Sequence, residues 1–322
     1  MHIPSMEIYS KMQDKTVTIL MATYNGSAFI ENQILSLQQQ KYKDWILYIH
    51  DDGSSDDTLD IIKRIQLTEP RINLIEDGLT RLGAGKNFLS LVKYSATNYT
   101  IFCDQDDIWL ENKLSEMIVF ADSKGLASSK LPSMIYADGY AFDDSTGEID
   151  FCGISHNHAT RLKDFLFFNA GYQGCSILFN KAMVDIAANY HGYVHLHDDV
   201  VSLIAHSLGN VYFLPKKLML YRQHLGAVTG QKKFNNRFIS MLTSKVNYLL
   251  SREHFLVKRS FYDNYHHLLT AEIKNDFEVF FKFCQTKNKL SQLVLLLKHD
   301  FRLNNSRLKL LLKCIVRRTF SQ

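Results

Sequence analysis

The chain has 322 residues, 46% of them hydrophobic, and its 37 Lys and Arg against 33 Asp and Glu leave a net charge of only +4. That composition excludes disorder over most of the length, and the length suits one large domain plus an addition. Five cysteines (Cys103, Cys152, Cys175, Cys284, Cys314), scattered and without metal spacing, exclude a disulfide framework and point to buried thiols in a reducing compartment.

Residues 1–15 read as a weakly ordered lead-in without the basic-then-apolar layout of an export signal, so a cytoplasmic protein is expected. Val17–Met21 is a short apolar run that leads into Thr23-Tyr24-Asn25-Gly26, then a helix whose Ile30, Ile34 and Leu37 share one face. Trp45–Ile49 repeats the run and opens into His50-Asp51-Asp52-Gly53-Ser54-Ser55-Asp56-Asp57. Ser55 or Asp56 there is placed to cap a helix over 59–65. A strand near 72–75, the helix-start segment Gly83-Ala84-Gly85-Lys86-Asn87 and a strand near 99–103 continue the pattern. Such βα repeats predict a largely parallel sheet with right-handed crossovers, whose ligand crevice lies at the carboxyl ends of the strands. Thr23-Tyr24-Asn25 and the acidic turns therefore fall on one edge.

Asp104-Gln105-Asp106-Asp107 closes the fourth run. Its three carboxylates within four residues repel one another unless something positive sits between them. Oxygen-only ligands suit Mg²⁺ or Mn²⁺, ions that commonly carry diphosphates, whereas the plainer reading is a polar turn capping the next helix. That helix is expected over 112–124, followed by a polar link to Pro132, strands near 134–142 and 174–179, and a helix over 161–169 between them. Gly171-Tyr172-Gln173-Gly174 is a turn able to approach a ligand closely.

His195-Leu196-His197-Asp198-Asp199 heads a helix running through Val200–Ala205, where acids are favoured simply as caps. The two histidines lack a further ligand at zinc spacing, so zinc is not expected. The first domain ends near Gly230. Beyond it no glycine or proline occurs, which suits an all-α appendage. From Lys289 onward eight Lys and Arg face one acid, Asp300, with Leu-rich segments between them. That pattern reads as a surface lying on anionic lipid, or as a packing helix with a solvated basic face. No nucleic-acid motif accompanies the charge, and nucleic acid is not expected as a partner.

Taken in order, these motifs resemble the family 2 glycosyltransferases, inverting enzymes with a GT-A fold. The carrying residues are Thr23-Tyr24-Asn25, Asp51–Asp56, Gly83–Asn87, Phe102–Trp109, Gly174-Cys175-Ser176, His197-Asp198-Asp199 and Tyr221-Arg222-Gln223-His224, across about 200 residues. Asp-Gln-Asp-Asp-x-Trp followed by Tyr-Arg-Gln-His is most similar to the rhamnosyltransferase-like branch of bacterial surface polysaccharide synthesis, whose relatives also move glucose or galactose. The resemblance implies a GT-A (Rossmann-like), mostly parallel sheet flanked by helices over 16–230, with a donor half to about 110 and an acceptor half after it. The helical basic region of 231–322 follows.

It also implies site roles. Thr23, Tyr24, Asn25 and the pair Asp51 and Asp52 would hold the nucleotide, with Asp52 favoured for the imide N–H of uracil or thymine. Lys86, Asn87 and Gln105 would lie near the donor. Asp106 would bind Mn²⁺ or Mg²⁺, Asp104 would reach the ribose or a metal-bound water, and His224 would complete the metal or meet the diphosphate. Arg222 would neutralise the leaving group, and Asp107 is an acid beyond the commonest family pattern. Asp198 would be the general base, with Asp199, at a position often aromatic in relatives, as second choice. The implied partners are a dTDP- or UDP-type sugar donor and a glycan or lipid-linked glycan acceptor. The rival readings are a nucleotidyltransferase, which lacks its Gly- and Lys-rich loop here, and a catalytically silent nucleotide-binding scaffold.

Overall fold

Val17–Thr23 (β1) is buried along its whole length, as a strand covered on both faces must be. In the computed structural model, which describes residues 16–224 and 247–321, β1 lies inside a nine-stranded sheet. It is followed by α1 (Ile30–Gln38), β2 (Trp45–Asp51), α2 (Thr58–Gln66), β3 (Ile72–Ile75), α3 (Ala84–Val92) and β4 (Tyr99–Asp104). These four strands pair in parallel in the order β3-β2-β1-β4, as the βα repeats predict. The expected lead-in over 1–15 and the boundary near Gly230 lie outside the described residues.

The second half mixes directions. After β5 (Ile108–Trp109) and α4 (Lys113–Ser123) come β6 (Ser133–Asp143), β7 (Ile149–Asp150), α5 (Leu162–Phe165), β8 (Ile177–Asn180), α6 (Lys181–Ala187), α7 (His197–Leu208) and β9 (Asn210–Gln223). β8 runs antiparallel to both β4 and β6, β9 parallel to β6, and β5 antiparallel to β9. Two expectations change. The helix expected over 161–169 is the single turn α5, because Leu166, Phe167 and Phe168 are all buried and leave no polar stripe for a longer helix. The long strand β9, unpredicted, carries Tyr221-Arg222-Gln223 to the acid-bearing edge.

Alternate side chains of the central strands feed two cores. Val17, Ile19 and Met21 pack with Ile30 and Ile34 of α1 and with Leu114 and Met117 of α4. Leu20, Ala22 and Phe102 pack on the other side with Phe88 and Leu91 of α3 and Val200 and Val201 of α7.

The C-terminal helices follow as expected: α8 (Arg252–Tyr265), α9 (Ala271–Gln285), α10 (Lys289–Lys298) and α11 (Arg307–Val316). Each starts at a side-chain cap, from Ser251, Thr270, Asn288 and Ser306 respectively. A parallel pair, β10 (Tyr248–Leu250) and β11 (Arg318–Phe320), adds a small sheet that ties the region's start to its end. The region is no loose appendage, because Phe261, Phe277, Phe280 and Leu310 belong to the same core as Leu20 and Phe102. Phe167 is the hinge pin, edge-on to Phe280, Phe283 and Phe301 at 5.2–5.4 Å. Among the described residues no helix is long and apolar enough to cross a membrane.

Candidate active site

The pairing register sets Thr23 beside Asp51 and Ala22 beside Asp104, so the loops after β1, β2 and β4 open on one edge. The β2 loop is saturated with donors. Asp51 accepts from Gly53 N at 3.0 Å, Ser54 N at 2.7 Å, Thr23 Oγ1 at 2.8 Å and Ser54 Oγ at 2.6 Å, which fills its lone-pair sites. Asp52 is buried, and each of its oxygens takes one backbone N–H, from Leu82 at 2.6 Å and Gly83 at 2.8 Å. Asn25, at φ +46°, accepts from Ser55 N and donates its own backbone N–H to Ser54 Oγ. Burial would raise the Asp56 carboxyl, but hydrogen bonds from Thr58 and Ser27 outweigh it and bring it to about 2.

Three expected donor contacts serve as struts. Gln105 exchanges two hydrogen bonds of 3.0 Å with the Tyr24 backbone, and a Cβ on Gly26 would sit 2.3 Å from its Oε1. Tyr24 itself points outward, 56% exposed. Asn87 is buried with its amide spent on His50, at 2.7 Å to Nδ1 and 3.2 Å to the carbonyl. Arg222 is also buried, donating from Nε to Asp106 O at 2.7 Å and from Nη1 to Asp144, while its backbone N–H reaches Asp107 Oδ1 at 3.1 Å. It anchors the acid loop, with Nε and Nη1 spent on protein acceptors. Lys86, by contrast, is exposed on the first turn of α3.

The β4 loop is starved of donors. Burial, then the Asp106 charge, pushes Asp104 up to about 7. Asp107 is held well above the usual carboxylate range by burial and by Asp104, and its Oδ2 has no hydrogen-bond partner. Asp106 Oδ2 meets His224 Nε2 at 2.8 Å, a contact between residues 118 apart in the chain. Lys113, missed in the sequence, is fully buried behind the cluster, 2.7 Å from Cys175 O and over the Trp109 ring. Its place beside Leu114, Met117 and Ile118 on the core face of α4 was the available signal.

Ligand atoms of Asp104, Asp107 and Cys175 lie within 4.8 Å of one another. Burial pushes the Cys175 thiol well up, and the other donors near it are carboxylate oxygens and the imidazole of His224. A single lysine against three acids leaves the cluster short of positive charge. An orphaned buried carboxylate oxygen in an oxygen-rich set fits Mg²⁺ or Mn²⁺. The His197 ring is buried against Phe88 at 4.0 Å and Phe102 at 4.5 Å.

Asp198 and Asp199 open α7. Gly85 is required here: a Cβ on it would lie 2.7 Å from His195 O, so α3 seats directly on the segment entering α7. Gly171 packs as closely on the Asp198–Asp199 peptide. Burial, then the Asp199 charge, lifts the Asp198 carboxyl well above its ordinary range, and the α7 head packs on β4, with the His197 ring 4.5 Å from that of Phe102. Asp199 turns away into the C-terminal region. Its Oδ2 lies 2.6 Å from His254 Nδ1, both groups buried. Next along α8, Lys258 is buried and donates to Phe168 O at 2.9 Å; burial lowers it to about 8, against the Asp199 charge. Neither His254 nor Asp144 announces itself in the sequence, because each partner lies far away in the chain.

A family model described as glycosyl transferase family 2 matches residues 18–179. The dTDP-rhamnosyl transferase RfbG of Shigella flexneri is 32% identical over 219 residues, 63% of this chain and 71% of that protein. A UDP-Glc:alpha-D-GlcNAc-diphosphoundecaprenol beta-1,3-glucosyltransferase of Escherichia coli, WfgD, is 36% identical over 107 residues, 33% of this chain and 41% of that protein. Among solved structures, S. aureus TarS 1-349 in complex with UDP-GlcNAc superposes with a TM-score of 0.57 at 14% identity, covering 88% of this chain and 80% of that one, a likeness of fold.

Proposed function

Since the chain belongs to glycosyl transferase family 2, we propose that it passes a hexose or deoxyhexose, rhamnose foremost, from a dTDP- or UDP-sugar to a hydroxyl of a lipid-linked glycan, with inversion and a divalent cation. The observation that carries the reading is that the loops after β1, β2 and β4 open on one edge, where Asp106 meets His224 at 2.8 Å and the α7 head packs on β4 through His197 and Phe102.

The residues divide the work as follows. Thr23 and Asn25 shape the nucleotide loop. Asp51 has no acceptor capacity left, whereas Asp52 has used only two of about four lone-pair sites and can take an imide N–H of uracil or thymine. A base without that donor leaves the remaining acceptor capacity of a buried carboxylate unmet. Asp106 with His224 would hold Mn²⁺ or Mg²⁺, with Asp104 beside them at the ribose or a bound water and Asp107 as a further acid. The cation supplies positive charge against the departing diphosphate. With Arg222 tied to Asp144, exposed Lys86 is the side chain left to add to it.

In the transfer, the acceptor oxygen bonds to the anomeric carbon as its proton passes to the Asp198 carboxylate. The bond from that carbon to the diphosphate oxygen breaks with its electron pair, so one displacement inverts the centre. Burial makes Asp198 the more basic carboxylate that such a step needs. Asp199, paired with His254, is a positioning group that leaves Asp198 as the acid facing the cleft. The enzyme would act at the cytoplasmic side of the membrane, with its basic C-terminal helices toward anionic lipid. Thermal-shift screening of UDP- and dTDP-sugars with and without Mn²⁺, joined to a transfer assay on Asp198→Asn, tests the reading. Donor binding retained with transfer lost is expected, and unchanged turnover would refute the base.

A further inference from the structure

α10 and α11 pack on each other and carry apolar residues on two opposite sides. The inner rows, Gln292 and Leu296 on α10 and Leu310 and Cys314 on α11, are buried, and Cys314 Sγ lies 3.7 Å from Gln292 Oε1. The opposite rows, spaced i, i+4 and i+7 or i+8, are bare: Leu290, Val294 and Leu297 on α10, and Leu308, Leu312 and Val316 on α11. Leu290 is 73% and Val316 84% exposed. A helix with apolar residues nearly all round expects cover on both sides, and the described residues cover only one.

Charge identifies the missing cover. Between Lys289 and Arg318 there are eight Lys and Arg and one acid. That acid, Asp300, is already paired with Arg161 and Arg302. A second copy docking here would set like charge against like charge. An anionic bilayer satisfies both demands, taking the bare apolar rows below its headgroups while Lys298, Lys309 and Arg318, all exposed, meet lipid phosphates. We infer that the α10–α11 hairpin is the membrane-docking face, lying in the interface plane of an anionic leaflet. The inference deepens the lipid-linked acceptor reading above. It confines the contact to this hairpin, since α8 and α9 bury Phe261, Phe277 and Phe280 in the common core.

The test is sedimentation of the full chain with phosphatidylcholine vesicles, with and without phosphatidylglycerol. Binding is expected only with the anionic lipid and should fade with added salt. Leu290→Asp with Val316→Asp should reduce it to the neutral-vesicle level, and each of Lys298→Glu and Lys309→Glu should weaken partitioning by at least about fivefold. Melting temperature and the shift induced by nucleotide sugar should stay as in the unaltered chain, which separates this surface from the donor site. Equal binding to neutral vesicles overturns the inference, as does unchanged binding by the aspartate variant. Failure to sediment, with the hairpin instead mediating a dimer in gel filtration, overturns it too.

Discussion

The two acidic loops on the strand ends are built in opposite ways. After β2, the carboxylates of Asp51, Asp52 and Asp56 are met by backbone N–H and hydroxyl donors, and Asp56 is brought to about 2. After β4, partly buried Asp104 and buried Asp107 sit among other acids, both pushed up, and one oxygen is orphaned. The first loop is met by its own donors, whereas the second crowds its acids together. Two aspartate-rich turns that look alike in the sequence thus differ in how the fold treats their charge.

The sharpest test removes Asp198, the proton acceptor of the proposed transfer. Asp198→Asn should lower kcat by about 10²–10⁴-fold with donor affinity kept, read by steady-state transfer kinetics. With native Asp198 the acid limb of kcat should fall above the ordinary carboxylate value of about 3.9, because the base form is lost as pH drops through its raised pKa. Asp106→Ala should abolish the rise in melting temperature on adding Mn²⁺, a rise equivalent to about 2.7 kcal/mol at a hundredfold excess over Kd. The same substitution logic applied to the first loop predicts a different loss. Asp56→Ala should leave the Mn²⁺ response intact and lower only stability, because Asp56 holds Ser27 and Thr58.

A third comparison concerns Asp199, whose charge is met by protein alone. His254→Ala should cost about 3–5 kcal/mol in chemical denaturation by leaving a buried carboxylate unpaired, and His254→Ala with Asp199→Ala should cost less than His254→Ala alone. His197, lowered to about 3 by burial, makes the comparison pH-dependent. Its folded pKa lies below its unfolded value, so its contribution is whole above about pH 6.5 and shrinks as pH falls toward about 3, by roughly 1.4 kcal/mol per unit. Relative to His197→Leu, the native chain should therefore lose ground over that window.

The parallel half of the sheet was legible because each strand is an apolar run followed by a helix of 3.6 period. Both acidic loops, Asp198 and His224 were legible as motifs. What failed to show was pairing across distance. Arg222 reads as a cation for a diphosphate until Asp144 is seen beside it, and Asn87 reads as a donor contact until His50 takes its amide. Strand β9 was hidden by Pro215-Lys216-Lys217 in its middle, a polar interruption tolerated where the β6–β9 register shifts. The C-terminal caps, Ser251, Thr270, Asn288 and Ser306, are residue types that mark helix starts in the sequence itself.

Phe167 has a practical corollary. Because three C-terminal phenylalanines close around it, a fragment stopping where the family match or the last motif stops would expose an aromatic socket to water and strip Asp199 of its imidazole. Donor-handling machinery and tail are thus one folding unit, and recombining tails between relatives to change where such enzymes settle would require the socket and its plug to be exchanged together.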